Sequence, residues 1–486
     1  MKVDKRLVGL FVVFLIVLII RLYFAFSNPY FSTEESYLGY GIIQEMVGEQ
    51  SIPFFDELSY GGRSLLYSPV FFLVYSLLSL GSIFIMKVLT EVCFASMVFI
   101  VFAIAQKFTS DYRIALISTI FTNFIPIFLL NTINVISAYA FVIPLMFLMF
   151  YSLMNLNDKR YIWVFIIGSI ILPLLHPSSF LFLLTILFFF FLLGGGAVQP
   201  TKKKKELLML SAFVIILMNL IIYKKALLSH GLGVVWQNLP LSILSGAFRL
   251  LESFELLFSL GSVVIIFGIF GLYFGVLTEK NRNVYLIGAF MLSVLLLLLL
   301  QFIPFLDGLV FLGLSLGVLS SISLNRLWVY ASQLKHKFVS GFIKFVILIV
   351  LPLFVIITAL TFVMDNPGLK AETVEDFINI GDHEGDTVAA NLHEGHLITT
   401  FTNKQNIADT NFLLAPKPVQ RVKDLNLLLS TGSKASAYSI INKYGVDIIY
   451  FSEESKKMFK SDVLRYAEEN ECFERKGNIY LVKCTQ

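Results

Sequence analysis

Charge is what this sequence has little of. Only 14% of its 486 residues are Asp, Glu, Lys or Arg, while 57% are hydrophobic. Soluble domains run nearer ~25% charged and ~45–50% apolar. The scarcity excludes an ordinary soluble enzyme, a disordered chain and a basic nucleic-acid binder. Charges in mid-span are nearly absent and no internal repeat is visible, which weighs against a transporter built from repeated halves. Cysteine is scarce too, at three residues. Cys93 lies in an apolar segment and reads as packing. Cys472 and Cys484 flank FERKGNIYLVK, which reads as a hairpin turning near Lys476-Gly477-Asn478 and could place the two opposite each other.

The charges that are present divide the chain. Residues 365–486 hold 14 Lys/Arg and 18 Asp/Glu, a charge on more than one residue in four, and are net −4. Residues 1–364 hold the remaining 23 Lys/Arg and 15 Asp/Glu, a charge on little more than one residue in ten, and are net +8. The expectation is a membrane-embedded part, 1–364, followed by a soluble domain, 365–486.

Spanning a bilayer takes roughly 17–25 apolar residues. Such runs lie near 7–26, 87–106, 114–130, 137–154, 162–175, 178–196, 207–223, 255–277, 285–304, 308–322 and 345–364. The first lacks a small-residue cleavage site and reads as an anchor. The apolar run 69–80 is opened by Pro69, closed by Gly81 and too short to span, so it reads as interfacial or re-entrant. Charge parity supports that choice. With the N-terminus in the cytoplasm, the clusters Lys107/Arg113, Lys159/Arg160, Lys202–Lys205, Lys280/Arg282 and Arg326/Lys335/Lys337/Lys344 all fall on the cytoplasmic side. A spanning 69–80 would turn the later clusters outward. The expected fold is therefore a polytopic α-helical membrane protein with eleven transmembrane helices. The 27–86 loop, the 224–254 loop and a C-terminal α/β domain lie outside the cytoplasm, where a Cys472–Cys484 disulfide is plausible. No P-loop or GxGxxG stands in the cytoplasmic loops, so no nucleotide site is expected.

In the tail, TVAAN (387–391), HLITTF (396–401), DIIYF (447–451) and IYLVK (479–483) read as strands. Val419–Ser430, Lys434–Lys443 and Met458–Glu469 read as helices.

The 27–86 loop carries the most chemistry. Glu34 and Glu35 form an acidic pair directly after the first span, and helical spacing would put Leu38 and Ile42 on one face with Glu34. Asp56 and Glu57 form a second pair, and Arg63 follows Gly61-Gly62. A carboxylate at a membrane surface can act as general base toward an acceptor hydroxyl. An Arg fork matches phosphate oxygens. The plain alternative is a solvated acidic loop. Lys87 and Glu91, four residues apart, read as an ion pair. Asp307, at the start of the tenth span, is a functional candidate because an acid at membrane depth is costly. In the 224–254 loop, Lys224, Lys225, His230, Trp236 and Arg249 place cations against the positive-inside trend. A nearby lipid phosphate or snorkelling to headgroups would each account for them.

A first span, a loop opening with an acidic pair and Tyr37, a Gly-rich turn and a helix opened by Tyr67-Ser68-Pro69 together resemble the GT-C superfamily of membrane glycosyltransferases. DELSYGGR (56–63) looks most like archaeal members, and His176-Pro177 resembles a Thr-His-Pro motif common among them. The resemblance implies a sugar donor on a polyprenyl (dolichyl) phosphate or diphosphate and a glycan or protein acceptor. It places the catalytic acid at Glu34 or Glu35, where the superfamily usually has Asp. Under that reading, donor-phosphate contacts are expected from Arg63, His176 and Arg249, and substrate contacts from Tyr37, Asp56, Glu57, Tyr67, Trp236 and Glu394. Residues 391–409 are similar in layout to the oligosaccharyltransferase stretch that carries Trp-Trp-Asp-Tyr-Gly, but this chain has Asn391-Leu392-His393-Glu394-Gly395 there. It also offers Asn131 and Asn134 where that family has an acidic Asp-x-Asp motif. Both departures argue against asparagine-linked transfer, and no metal or other cofactor is expected. Two readings stand: an extracytoplasmic glycosyltransferase in the bilayer, or a catalytically silent relative that binds glycan or protein partners.

Overall fold

The computed structural model describes residues 5–194, 201–237, 258–468 and 471–484. Six described helices are long and apolar enough to cross a membrane: Lys5–Phe26, Ile83–Ala105, Lys202–Gly231, Arg282–Leu299, Phe305–Gln333 and Lys337–Asp365. Tyr112–Asn123 and Pro126–Thr132, bent by 54° at Pro126, make a seventh if counted as one span. Shorter helices, Tyr139–Met154, Lys159–Leu175, Ser179–Gly194 and Ser262–Tyr273, form where further spans were expected. The helix from Lys202 continues through Lys224, Lys225 and His230 to Gln237, broken at Gly231 (φ 76°). The expected 224–254 loop is thus helical where it begins, and Arg249 lies outside the described residues.

The Phe305–Gln333 helix is the centre of the bundle, with an unbroken buried run from Gly308 to Leu324. Its neighbours reach it through small residues, as expected where helices pack without a hydrophobic driving force between them. A Cβ on Gly271 would lie 2.0 Å from the Leu319 carbonyl oxygen, and one on Gly268 would lie 2.8 Å from the Leu316 Cα. The Ser118 hydroxyl donates to the Gly317 carbonyl at 2.8 Å.

The 27–86 segment is folded throughout much of its length. It holds a helix, Glu35–Glu49, a hairpin of β1 (Phe55–Asp56) and β2 (Arg63–Ser64), and a helix, Pro69–Ser79. Tyr60, Gly61 and Gly62 turn the hairpin at φ 59°, 68° and 101°, which explains the glycine pair as backbone geometry. The Pro69–Ser79 helix has Pro at its first position and stops at left-handed Leu80. At about 1.5 Å per residue it is roughly 16 Å long, too short for a ~30 Å hydrocarbon core.

The C-terminal region forms a five-stranded sheet of order β4-β3-β5-β7-β6, from β3 (Thr387–Ala389), β4 (Gln405–Asn406), β5 (Ile448–Tyr450), β6 (Phe473–Lys476) and β7 (Ile479–Val482). The first three are parallel; β7 runs antiparallel to β5 and β6. Helices Pro418–Ser430 and Lys434–Tyr444 match their expected spans. The Cys472–Cys484 disulfide closes the β6–β7 hairpin. The 55–64 hairpin docks on the β4 edge: the Asn406 N–H donates to the Leu58 carbonyl at 2.8 Å, and Tyr60 is buried in the C-terminal core. An edge strand that could pair with another chain is thereby covered.

Three expectations are corrected. HLITTF is helical, within Gly395–Thr402. Its β-branched residues favour a strand, but a capping box of Asn391 and Glu394 starts a helical turn just before it. The expected Met458–Glu469 helix lies earlier, at Glu453–Phe459, capped by Ser452 and stopped at left-handed Lys460. Glu91 pairs with Arg21 at 2.8 Å, not with Lys87. The Lys87 ammonium instead donates to the carbonyls of Ala25, Asn28 and Tyr30 at the end of the first helix, where a cation suits the helix dipole.

Candidate active site

Glu34 and Glu35 begin the Glu35–Glu49 helix, where negative charge is favoured by the helix dipole. The two adjacent carboxylates have different surroundings. Glu34 is half-buried, and its electrostatic neighbours are His393 and Glu454 of the C-terminal region. Burial raises its carboxyl above the usual range, and Glu454 and Glu35 add to this while His393 opposes it. Glu35 is exposed and acts on Tyr139 and Asp307 of the helix bundle and on His396 of the C-terminal region.

Tyr139 opens the Tyr139–Met154 helix, and Asp307 sits in the first turn of the central helix. Their side chains are hydrogen-bonded. Together with Asn131, Thr132, Val310 and Phe311 they line a small cavity between the helix ends. His176, between the helices Lys159–Leu175 and Ser179–Gly194, stacks its ring 4.8 Å from that of Tyr139. Its Nδ1 accepts the Ser178 N–H at 3.1 Å. Thus Tyr139 and Asp307 line one cavity, the His176 ring packs on Tyr139, and Glu35 acts electrostatically on both cavity residues. Among the described residues, no three His, Cys, Asp or Glu side chains gather as a metal ion would need.

Arg63 lies elsewhere. Its Nε and Nη2 donate to Asp56 at 3.1 and 2.9 Å, and its Nη1 donates to Asp409 at 2.7 Å and to the Asn411 carbonyl. The side chain is fully buried, and Tyr60 lies under the guanidinium at 5.3 Å. Every guanidinium nitrogen is therefore already bonded within the protein. Asp409 is also within 3.6 Å of His396. Burial works against the Asp409 charge, but His396 and Arg63 outweigh it and hold its carboxyl below the usual range.

The other sequence candidates fall in several places. Tyr37 is buried, its hydroxyl accepts the Phe31 N–H, and its ring packs on Phe401 at 5.0 Å. Tyr67 donates to the Pro53 carbonyl at 2.7 Å. Glu57 is exposed. Glu394 is buried, and its carboxylate accepts the Asn391 N–H at 3.0 Å. Burial pushes that carboxyl up to about 8; hydrogen bonds from Ser452 and Asn391 oppose the shift, while Glu454 and Glu34 add to it. Trp236 falls at the end of the Lys202–Gln237 helix. Tyr139, His393 and Glu454 were not anticipated. No motif marks them, because only the folded chain brings them to Glu34 and Glu35.

No family model matches the sequence, and no curated protein matches it. Solved structures do match. The oligosaccharyltransferase of Archaeoglobus fulgidus in its apo form aligns at a TM-score of 0.68 and 12% identity, over 97% of this chain and 73% of that one. ArnT from Cupriavidus metallidurans in the apo state aligns at 0.55 and 11% identity, over 96% and 97%. The arabinofuranosyltransferase AftD from Mycobacteria aligns at 0.52 and 11% identity, over 90% and 34%. Identity this low speaks for fold alone: this chain shares its fold with these three proteins.

Proposed function

We propose that the protein is a GT-C glycosyltransferase that moves a sugar from a polyprenyl (dolichyl) phosphate to a lipid-linked glycan or protein acceptor. The observation that carries this reading is the pairing of Tyr139 with Asp307 at one cavity of the bundle, with His176 packed on Tyr139 and the charge of Glu35 acting on both. Two similar structures hold lipids of the donor class: AglB from A. fulgidus a dolichol-phosphate, and ArnT undecaprenyl phosphate. The topology belongs to the same proposal: eleven spans, the N-terminus in the cytoplasm, and the C-terminal region, from 365 on, outside.

Glu35 takes the proton of the acceptor hydroxyl as its oxygen bonds to the anomeric carbon. The bond from that carbon to the phosphate oxygen breaks, and polyprenyl phosphate leaves with the electron pair. Positive charge grows on the sugar ring in such a transfer, and the Glu35 and Asp307 carboxylates are assigned to stabilising it. Asp307 also fixes Tyr139. His176, packed on Tyr139, is assigned to the donor phosphate, with Arg249 retained as a second candidate. Arg63 serves as a clamp between the 55–64 hairpin and the C-terminal sheet rather than as a phosphate ligand. Glu34, Tyr37, Asp56, Glu57, Tyr67, Trp236 and Glu394 are assigned to shaping the acceptor side.

The test is transfer by the purified protein from radiolabelled polyprenyl-phosphate sugars to membrane extracts. Label should reach an acceptor with wild type and fall at least about 100-fold with Asp307→Asn. No transfer from any polyprenyl-phosphate sugar would favour the silent relative. That reading draws on one observation: the guanidinium expected to meet the donor is fully engaged within the protein.

A further inference from the structure

Two loops carry the reacting groups. Residues 27–34 lead into Glu35, and residues 133–138 lead into Tyr139. They are bonded to each other at several points. The Asn134 carbonyl accepts the Ser32 N–H at 3.0 Å. The Asn134 Nδ2 donates to the Tyr30 carbonyl at 2.7 Å and to the Ser32 hydroxyl at 3.1 Å. The Ser36 hydroxyl accepts the Ile136 N–H at 3.1 Å and shares a hydrogen bond with Thr33 at 2.8 Å. Asn134 is held in the left-handed region at φ 60°, which a non-glycine residue adopts only with support.

That support comes from charges buried inside the bundle. The Glu91 Oε1 accepts the Asn134 N–H at 2.7 Å, and its Oε2 accepts from Arg21 Nε at 2.8 Å. Arg21 also donates to the carbonyl and hydroxyl of Thr132, and lies between the rings of Phe94 and Phe128. Arg21 and Glu91 are 1% and 0% exposed. A buried ion pair is poor evidence of stability in itself, because its desolvation cost is large. Its retention here has a reason in what it holds: both Glu91 oxygens are used, one to anchor Arg21 and one to fix the backbone of Asn134.

We infer that Asn134 and Glu91 are positioning residues, which zip the two loops together and thereby set Glu35 opposite the Tyr139–Asp307 pair. This rests on the reading of Glu35 as the base. The zip acts on the distance between a base and its partners, so releasing it lowers the rate of transfer more than donor binding.

Asn134→Gly tests it, because glycine accepts this left-handed backbone without strain and the change removes only the side-chain bonds. Three quantities are read on the full-length protein: transfer kinetics, the pH profile of transfer, and hydrogen–deuterium exchange over 27–40 and 131–142. Expected are a kcat lower by about 10-fold or more, a donor KM within about twofold, an altered pH profile, and faster exchange confined to both loops. Ser32→Ala should do the same more weakly. Unchanged exchange in the two loops would overturn the inference whatever the activity. Wild-type kcat and pH profile in Asn134→Gly would overturn it while leaving the functional reading intact. A wild type inactive with every polyprenyl-phosphate sugar, with exchange still faster in the variant, would remove the catalytic purpose and so the inference.

Discussion

Arg63 shows how a residue can be recognised and its partner missed. Its position after two glycines marked it as special, and it is among the most buried side chains in the protein. Its main partner, Asp409, is 346 residues away, a separation no local pattern reports. The same holds for Arg21 and Glu91, 70 residues apart, where the i,i+4 spacing of Lys87 and Glu91 pointed to the wrong cation. Exposure separates the two carboxylates on Arg63: Asp409 is 0% exposed and Asp56 is 18%. Removing a fully buried partner leaves an uncompensated charge, at about 3–5 kcal/mol. A partly solvated one costs nearer about 1–3 kcal/mol. Asp409→Asn should therefore lower the thermal midpoint more than Asp56→Asn. Equal losses in thermal melts would contradict the clamp.

Among the elements, the long apolar helices were legible because a bilayer demands long apolar runs: six described helices are long and apolar enough to cross one, or seven with the bent pair, and the other expected spans fall on shorter helices. The C-terminal region was less so. Four short segments were read as strands, and HLITTF failed because tertiary burial and an upstream capping box overrode its composition. That capping box offers a pH test. Glu394 is pushed up to about 8 by burial, above its unfolded value of about 4.3. The native state then holds a proton that the unfolded chain has lost. Stability is full below the unfolded value and falls as pH rises toward 8, by up to about 1.4 kcal/mol per pH unit. Glu394→Gln keeps the capping acceptor and removes the charge. Its thermal midpoint should exceed wild type by far more at pH 8 than at pH 5. A gain of equal size at both values would rule out ionisation of Glu394 as the cause.

Across the chain as a whole, the split between a sparsely charged region and one of ordinary charge corresponds to a helix bundle and a sheet region, joined by the 55–64 hairpin on the β4 edge. Composition made those two parts visible, but the contacts between them, such as Arg63 with Asp409, are written in no single segment. The proposed orientation can be checked in intact cells with a membrane-impermeant maleimide. Lys460→Cys, exposed in the C-terminal region, should label directly. Lys337→Cys, exposed at the start of the last long helix, should label only after permeabilisation. The reverse pattern would invert the topology.

The functional reading turns on Glu35, not Glu34, being the base. The charge of Glu35 acts on Tyr139 and Asp307, while Glu34 is half-buried and, mainly through that burial, holds its proton more tightly than an ordinary glutamate. The deciding measurement is sugar transfer by Glu34→Gln and Glu35→Gln side by side, at equal amounts of folded protein. Glu35→Gln should lose at least about 100-fold, within the range general-base groups contribute, and Glu34→Gln less than about 10-fold. Full transfer by Glu35→Gln would contradict the assignment.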